Sequence, residues 1–449
     1  MNSNLIENKR EAFERAVYRR VTLRLLPYLF LCYILAYIDR VNVGFAKLQM
    51  QQDLGMTEAV YGLGAGIFFI GYFLFEVPAN VIMQKVGARR WIGPIMMIWG
   101  VLSASTMLVK TADAFYVVRF LLGIVESGFF PGVILYLTFW YPEKHRARMV
   151  AIFMSAIPLS GVVAGPISGW IMARMTGVSD LRAWQWLFLL EGVPACLAGL
   201  VALFFLTDTP AKANWLKPEE RALLIRRLQD DHAEKSSSPG ARHSLSDALR
   251  SARVWILGLI YFGFVMGNYA LGFWLPQVIR DTITTNPLTI GWLSVIPWGA
   301  GAIAMIVVGH HSDRTGERRL HIATSGIIGA AAFAATAIPG LSGAVGLTML
   351  TLATIGIMCA FSTFWALPTP LLTGAAASAG IAWINAIGNL SGYVGPYLIG
   401  AIRDATHSMV LALMVLSASA FLASILTLWI TPGMQRHRRS RAIATATEA

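Results

Sequence analysis

Long apolar segments recur along the chain from residue 25 to residue 431, and they constrain its fold more than any other feature. A helix of about 20 apolar residues is long enough to cross the ~30 Å hydrocarbon core of a bilayer. Hydrophobic residues make up 56% of the 449 residues and charged residues only 13%, about half the charged share of a typical soluble domain. The chain is therefore predicted to be an all-α polytopic membrane protein. A soluble enzyme, a nucleic-acid-binding protein and a secreted disulfide-rich domain are excluded.

Twelve spans can be placed in two groups of six. The first group comprises residues 24–45, 59–82, 91–110, 114–139, 147–173 and 184–206, and the second comprises residues 254–279, 288–309, 320–338, 345–371, 374–402 and 408–431. The predicted organisation is an N-terminal segment at 1–23, a six-helix bundle at 24–206, a central loop at 207–253, a second six-helix bundle at 254–431 and a basic tail at 432–449. Within the central loop, Lys217-Pro218-Glu219-Glu220 is typical of a helix start, and it predicts a short amphipathic linker helix on the cytoplasmic face.

The loop charges predict the orientation of the chain. Of the 34 lysines and arginines assigned to loops, 28 lie on the side that also carries both termini, and the other side holds Lys47, Lys110, Arg174, Arg182, Arg280 and Arg403. Because cytoplasmic loops are enriched in basic residues, both termini are expected in the cytoplasm. The net charge of +12 then reflects topology, and we expect no nucleic-acid partner.

One loop motif occurs twice, which indicates an internal repeat. The loop between spans 8 and 9 runs from Gly309 to Arg318 and includes Asp313 and Arg314. The loop between spans 2 and 3 carries a degenerate copy, which comprises Asn80, Gln84, Lys85, Gly87 and Arg89. Repeated halves with a binding site at their interface are typical of secondary transporters.

Four charged residues interrupt the predicted spans: Asp39 and Arg40 in span 1, and Arg119 and Glu126 in span 4. A charge at the bilayer centre costs about 2.5–3.5 kcal/mol on insertion scales, so each of them needs a function or a partner. Asp39 and Arg40 point ~100° apart on a helix and require separate partners. Arg119 and Glu126 lie two turns apart on nearly one face, with Gly123 between them to let another helix approach.

These residue types are suited to the transport of an anion with protons. The planar guanidinium binds carboxylate through two parallel hydrogen bonds, so Arg40 and Arg119 are candidates for substrate binding. A carboxylic acid in a low-dielectric site can exchange a proton near neutral pH, so Asp39 and Glu126 are candidates for proton coupling. Two alternatives remain: Asp39 and Arg40 as an interfacial pair at a frayed helix end, and Glu126 as one half of a static ion pair.

Other residues in the spans are weaker candidates. The possible substrate-contacting aromatic residues are Tyr37, Tyr72, Tyr269 and Trp365, although each alone is more typical of core packing or an interfacial belt. Asn385 and Asn389 are spaced i, i+4 and would face the pore together. For Glu76 and Glu191 we favour a structural role. No cofactor is expected, and the histidine and cysteine spacings predict no metal site.

Several strings in this sequence resemble the major facilitator superfamily, and within it the anion:cation symporter family, over essentially the whole chain. They are the loop from Gly309 to Arg318, Tyr37 to Asn42, Arg119 through Gly123 to Glu126, Trp186 to Gly192, and Gly380 to Pro396. The resemblance implies two pseudo-symmetric six-helix bundles and rocker-switch symport of organic anions with protons. It also implies an anion-binding role for Arg40, protonation of Asp39 and Glu126, and a pore role for Asn385. Gln84 and Asn80 depart from the superfamily pattern, which weakens any gating pair built on the first loop copy. The resemblance leaves Asp313 and Arg314 of the second copy as the residues expected to act in gating.

The expected activity is therefore proton-coupled uptake of a small carboxylate such as tartrate or a related hydroxy acid. Aromatic carboxylates of the phthalate or hydroxyphenylacetate type form one alternative. Efflux or antiport of a metabolite forms another, because Gly161 with Gly165-Pro166 resembles an antiporter-associated motif. We expect a monomer in the inner (plasma) membrane whose partners are the substrate, protons and the lipid bilayer.

Overall fold

The computed structural model describes residues 2–237, 250–368 and 376–430, and this part of the chain is helical with no strand. The first ten α-helices are α1 (Asn2–Val41), α2 (Val43–Asp53), α3 (Glu58–Val86), α4 (Ala88–Ser105), α5 (Ala112–Glu126), α6 (Phe129–Thr138), α7 (Glu143–Met154), α8 (Ala156–Arg174), α9 (Ala183–Phe205) and α10 (Pro218–Ser237). They are followed by α11 (Ala252–Thr282), α12 (Pro287–Thr315), α13 (Arg319–Thr336), α14 (Gly343–Phe364), α15 (Ala376–Thr406) and α16 (Val410–Ile430).

The helices agree in position with the predicted spans. Within the described ranges, ten helical segments are long and apolar enough to cross a membrane. The other two predicted spans, 320–338 and 374–402, correspond to α13 and α15, which are helical but are not among those ten. The prediction of an all-α polytopic fold is confirmed.

Two predicted spans are interrupted directly after their buried charges. Span 1 divides into α1 and α2 at Asn42, and span 4 divides into α5 and α6 at Ser127 and Gly128. The interruptions are slight, because Asn42 keeps helical angles, with φ of −57° and ψ of −28°. Apolar periodicity does not detect such interruptions, since the hydrophobic pattern continues across them.

The chain divides into two compact units. Unit 1 comprises Met1–Gly55 and Ile67–Gly240, and in it α4 packs along α9 while α1 packs on α8. Glycines permit the close approach of α4 and α9, because a Cβ added at Gly100 would lie 2.7 Å from the carbonyl oxygen of Gly192. Small residues at such contacts are typical of helix packing in membranes.

The helix predicted in the central loop is present as α10. Three ion pairs fasten it to α1 and α7 within unit 1, and they join Glu220 to Arg20 at 2.6 Å, Arg227 to Glu14, and Asp231 to Arg146 at 3.5 Å. The linker helix therefore packs as part of the first unit.

Unit 2 comprises Met56–Gly66 and Ala241–Ala449, in which α11 packs on α15 and α16, and α13 packs on α14 and α16. The first turns of α3 are anchored here by charge. The carboxylate of Asp404 accepts hydrogen bonds from the backbone N–H groups of Glu58 at 2.9 Å and Ala59 at 2.8 Å. Arg403 pairs with Glu58 at 3.2 Å and with Asp281 at 2.7 Å. A carboxylate at a helix N-terminus satisfies its free N–H groups and its dipole.

Candidate functional site

The centre of unit 1 holds a buried ion pair between α1 and α5. Arg40 Nε donates to Glu126 Oε1 at 2.9 Å, and Arg40 Nη2 donates to the same oxygen. Arg40 is 7% exposed and Glu126 is 1% exposed. A buried pair of this kind is costly to desolvate and strongly destabilised by removal of either partner. Protonation of Glu126 would therefore remove the negatively charged partner of Arg40.

Aromatic rings surround this pair and bring a second arginine to it. The Arg40 guanidinium carbon lies 5.3 Å from the ring centroids of both Phe68 and Tyr72, and that of Arg119 lies 5.0 Å from the Phe68 centroid. Cation–π contacts contribute about 2 kcal/mol when they are desolvated. Arg119 is 1% exposed. The structure thus brings together Arg40, Arg119, Tyr72 and Glu126, and it adds Phe68, which the sequence analysis missed.

Gly123 explains how Phe68 reaches this position. A Cβ added at Gly123 would lie 1.9 Å from the carbonyl oxygen of Phe68, so α5 and α3 meet backbone to backbone at this point. The sequence analysis identified Gly123 as a close-approach residue, and the helix that approaches it is α3. Tyr37, another candidate from span 1, is 2% exposed in α1.

Asp39 faces a different set of helices from its neighbour Arg40. It is 3% exposed, and its Oδ1 accepts hydrogen bonds from Ser103 Oγ of α4 and from Asn42 Nδ2 at 3.3 Å. This separation follows from the ~100° turn between adjacent helical residues. Unit 1 therefore holds its two candidate proton-binding acids in chemically different surroundings, since Glu126 faces arginine and Asp39 faces neutral groups.

The sequence analysis did not predict the surroundings of two further buried charged residues, Lys47 and Glu191. Lys47 was assigned to an outer loop, whereas it is 1% exposed in α2, because the chain continues as helix to Asp53. Glu191 of α9 is 5% exposed, and its Oε1 accepts a hydrogen bond from Ser168 Oγ at 2.7 Å. The only sequence signal for Glu191 is a carboxyl group within an apolar helix, which does not reveal its neighbours.

The candidates in unit 2 are neutral and aromatic. Tyr269 is 6% exposed and stacks on Phe273 at a centroid distance of 6.2 Å. Trp365 is half-buried and meets the ring of Tyr261 edge-on at 4.8 Å. Tyr261 was not identified from the sequence because a lone tyrosine in an apolar helix carries no distinguishing pattern.

The paired asparagines of α15 lie near the same tyrosine. Asn385 and Asn389 are both half-buried. Between them, a Cβ added at Gly388 would lie 2.1 Å from the ring of Tyr261, so α15 packs on α11 there. Unit 2 thus places amide and aromatic side chains along one helix contact.

The loop motif between α12 and α13 forms its own network. Asp313 pairs with Arg318 at 2.5 Å, and Arg318 also donates to Ser312 Oγ at 3.0 Å. Arg314 is exposed. Both predicted gating residues are thus exposed, and Asp313 pairs with Arg318 of the same motif.

Metal binding receives no support from the side chains in the described ranges. They contain no group of three or more histidine, cysteine, aspartate or glutamate residues arranged to hold a metal ion. The three cysteines are unpaired thiols. The polar interior of unit 1 is built from carboxyl, guanidinium, ammonium, amide and hydroxyl groups.

Comparisons with known proteins agree with this architecture. The family model described as Major Facilitator Superfamily matches residues 29–396. A protein of Agrobacterium vitis, provisionally named a tartrate transporter, is 46% identical over 419 residues, which cover 92% of this chain and 91% of that protein. A protein of Acinetobacter baumannii named a quinolone resistance transporter is 40% identical over 432 residues, 95% of this chain and 97% of that protein.

Solved structures give the same fold at low sequence identity. The partially occluded inward-open form of the xylose transporter XylE from E. coli superposes with a TM-score of 0.73 and 15% identity. The match covers 91% of this chain and 98% of that one. At this identity the likeness concerns the fold alone.

Proposed function

The chain belongs to the major facilitator superfamily, whose members are membrane transporters and not enzymes, and we propose that it takes up a small organic anion together with protons. The observation that carries the proposal is the buried cluster of Arg40, Arg119 and Glu126 in unit 1. Two guanidinium groups lie against the Phe68 ring there, and that of Arg40 also pairs with the Glu126 carboxyl group. A buried guanidinium group binds a carboxylate through charge-assisted hydrogen bonds, which suits this cluster to an organic anion.

Protonation of Glu126 would couple the two cargoes. While Glu126 is ionised, it occupies the guanidinium of Arg40. A proton on the Glu126 carboxyl group removes its charge and frees the fork of Arg40 for a substrate carboxylate, which can bind through two parallel hydrogen bonds. Loss of that proton restores the internal pair and displaces the anion. Proton and anion thereby bind and leave together, as alternating access requires.

We propose that aromatic side chains shape the substrate site. Phe68 and Tyr72 in unit 1 hold the guanidinium groups in place. Trp365 and Asn385 in unit 2 would contact the neutral part of the substrate. Ligand sites of this kind combine apolar walls with few placed polar groups.

The substrate we propose is a small hydroxy carboxylate of the tartrate class. Its support is the relative of 46% identity that is provisionally named for tartrate transport, together with two buried arginines that suit a dicarboxylate. We further propose a plasma-membrane location with both termini in the cytoplasm, based on the loop charges. The transporter would act as a monomer.

Uptake by purified protein in liposomes tests the proposal directly. Radiolabelled tartrate should accumulate faster when the external solution is made more acidic than the lumen, and a protonophore should abolish that acceleration. Unlabelled phthalate should compete with tartrate for uptake, whereas a neutral sugar should not. Tartrate uptake that ignores the imposed gradient would contradict proton symport.

Efflux is a second candidate, and one observation favours it. A relative of 40% identity is named a quinolone resistance transporter. Expression in a drug-sensitive bacterial host should raise the inhibitory concentration of quinolones if this chain exports them. Unchanged susceptibility, together with gradient-driven tartrate uptake, would leave uptake as the activity.

A further inference from the structure

A second buried acidic cluster lies in unit 1 on the face of α1 that bears Asp39. It includes Ser103 on α4, Ser168 on α8, Glu191 on α9 and Asn42 between α1 and α2. Ser103 and Asn42 donate to Asp39, and Ser168 donates to Glu191 at 2.7 Å. The Asn42 side chain also lies near the carboxyl group of Glu191, whereas the hydrogen bond that it donates goes to Asp39. Asn42 therefore joins two acids that are far apart in sequence.

The cluster has more acceptor atoms than donors. Among the residues that the structure describes, no hydrogen-bond donor serves Glu191 Oε2 or Asn42 Oδ1. Glu191 is 5% exposed and Asn42 is 1% exposed, and a buried acceptor without a donor costs about 1–3 kcal/mol. A protonated carboxyl group supplies one O–H donor that a carboxylate lacks. The hydrogen bonding is therefore better satisfied when one acid carries a proton.

The surrounding charges lead to the same conclusion. Asp39 and Glu191 repel one another, and in the described part of the chain neither forms an ion pair with a basic side chain. Arg119 attracts Asp39 and Glu126 repels it. The other ionisable groups on adjoining helices are Cys196 of α9 and Lys47 of α2, a helix that packs on α8 and α9. Two like charges sharing one buried site favour retention of a proton by one of them.

We propose that Asp39 and Glu191 form a proton-sharing pair bridged by Asn42, and that Glu191 is a further proton-exchanging residue of the transport cycle. This inference rests on the proposed proton coupling and deepens it. It assigns one proton site to Glu126 in its ion pair with Arg40 and another to the acidic cluster of Asp39 and Glu191. Because this pair does not hold the guanidinium of Arg40, as Glu126 does, its proton is exchanged without direct competition from the anion.

Infrared spectroscopy of purified protein tests the protonation itself and needs no substrate. A pH titration of wild type should show the carbonyl band of a protonated carboxyl group persisting at neutral pH. Glu191→Gln should lose part of that band, and Asp39→Asn should change the remainder, because the two acids share the proton. The matched control is Glu76→Gln, which removes a carboxyl group from another apolar span. A band unchanged in Glu191→Gln would overturn the inference.

Transport assays distinguish a coupling role from a structural one. In Glu191→Gln, the change in tartrate uptake rate between acidic and neutral external pH should be smaller than in wild type by about fivefold or more, the lower end of typical coupling. Tartrate exchange without net proton movement should persist. Ser168→Ala keeps the carboxyl group and should keep the shape of the profile. If wild-type uptake ignores the gradient, the proposed symport fails. If wild type responds and Glu191→Gln responds equally, only the role of Glu191 fails.

Discussion

The interiors of the two units differ sharply in charge. Within its spans unit 1 buries six charged side chains, namely Asp39, Arg40, Lys47, Arg119, Glu126 and Glu191. The described residues of unit 2 bury none, and their buried polar groups are amides and hydroxyls such as Asn268, Gln277 and Thr363. The two halves share a loop motif but have diverged in chemistry. A repeated fold can thus separate charge handling from shape recognition.

This contrast has a physical basis in the cost of burying charge. Each charge in a low-dielectric interior needs a partner or a proton, and collecting the charges in one unit lets them compensate one another. Unit 2 then needs only neutral hydrogen bonds and ring contacts, such as the edge contact of Trp365 with Tyr261. We expect substitutions of the charged residues in unit 1 to alter anion binding or coupling, and those of neutral residues in unit 2 to alter affinity alone.

The largest effect is expected at Arg40. Arg40→Ala should lower tartrate uptake by about one to two orders of magnitude, since it removes charge-assisted hydrogen bonds to the substrate carboxylate that are worth about 1.5–3 kcal/mol. Arg40→Lys keeps the charge without the fork and should be impaired less. Uptake in proteoliposomes is the measurement, with the amount of inserted protein as control. Wild-type uptake by Arg40→Ala would disprove the anchor role.

Glu126→Gln should separate the coupling of the two cargoes from substrate binding. The amide cannot exchange a proton, so the acceleration of uptake by a pH gradient should fall by about 5- to 150-fold, the usual range of coupling. Tartrate exchange at equal pH should continue. Gradient-driven uptake and exchange at equal pH are measured on the same preparation. A gradient response equal to that of wild type would show that another residue couples proton and substrate.

Gly123→Ala should affect stability. Its Cβ would lie 1.9 Å from a backbone oxygen that cannot move aside, and overpacking of this kind costs about 1–3 kcal/mol. The melting temperature in detergent should fall. Gly346→Ala is the matched control in unit 2, since a Cβ there meets nothing within 4 Å, and it should leave the melting temperature unchanged or slightly raised.

The smallest effects are expected in unit 2. Trp365→Ala and Asn385→Ala should each raise the KM for tartrate a few-fold, consistent with about 0.5–1.5 kcal/mol for an aromatic contact or a hydrogen bond. The pH profile of uptake should keep its shape in both variants. An altered pH profile would show that unit 2 takes part in proton coupling, and the contrast between the units would then fail.

Sequence reasoning was sufficient for the fold and for part of the site. Apolar length and loop charge define the spans, because the bilayer imposes both. The charged residues of spans 1 and 4 could be identified because charged side chains are rare within apolar spans. The pairing of Arg40 with Glu126 required the structure, since helix rotation and tilt decide which faces meet.

Other features could not be predicted because they depend on packing between distant helices. Lys47 was assigned to a loop because apolar periodicity ends near it, whereas helix α2 carries it inside. Phe68 and Tyr261 look like ordinary core residues in the sequence. Only the backbone contact at Gly123 and the ring contact at Gly388 reveal their positions.

The six buried charges of unit 1 also determine its electrical balance. Three are basic and three are acidic, so the fully ionised interior is neutral, and every proton it takes up leaves one positive charge unmatched. A bound monoanion would cancel that charge and make the loaded carrier electroneutral, so that membrane voltage would do no work on the loaded interior. A dianion carried with one proton would instead move against a negative-inside potential, so the number of acids protonated decides whether voltage opposes uptake.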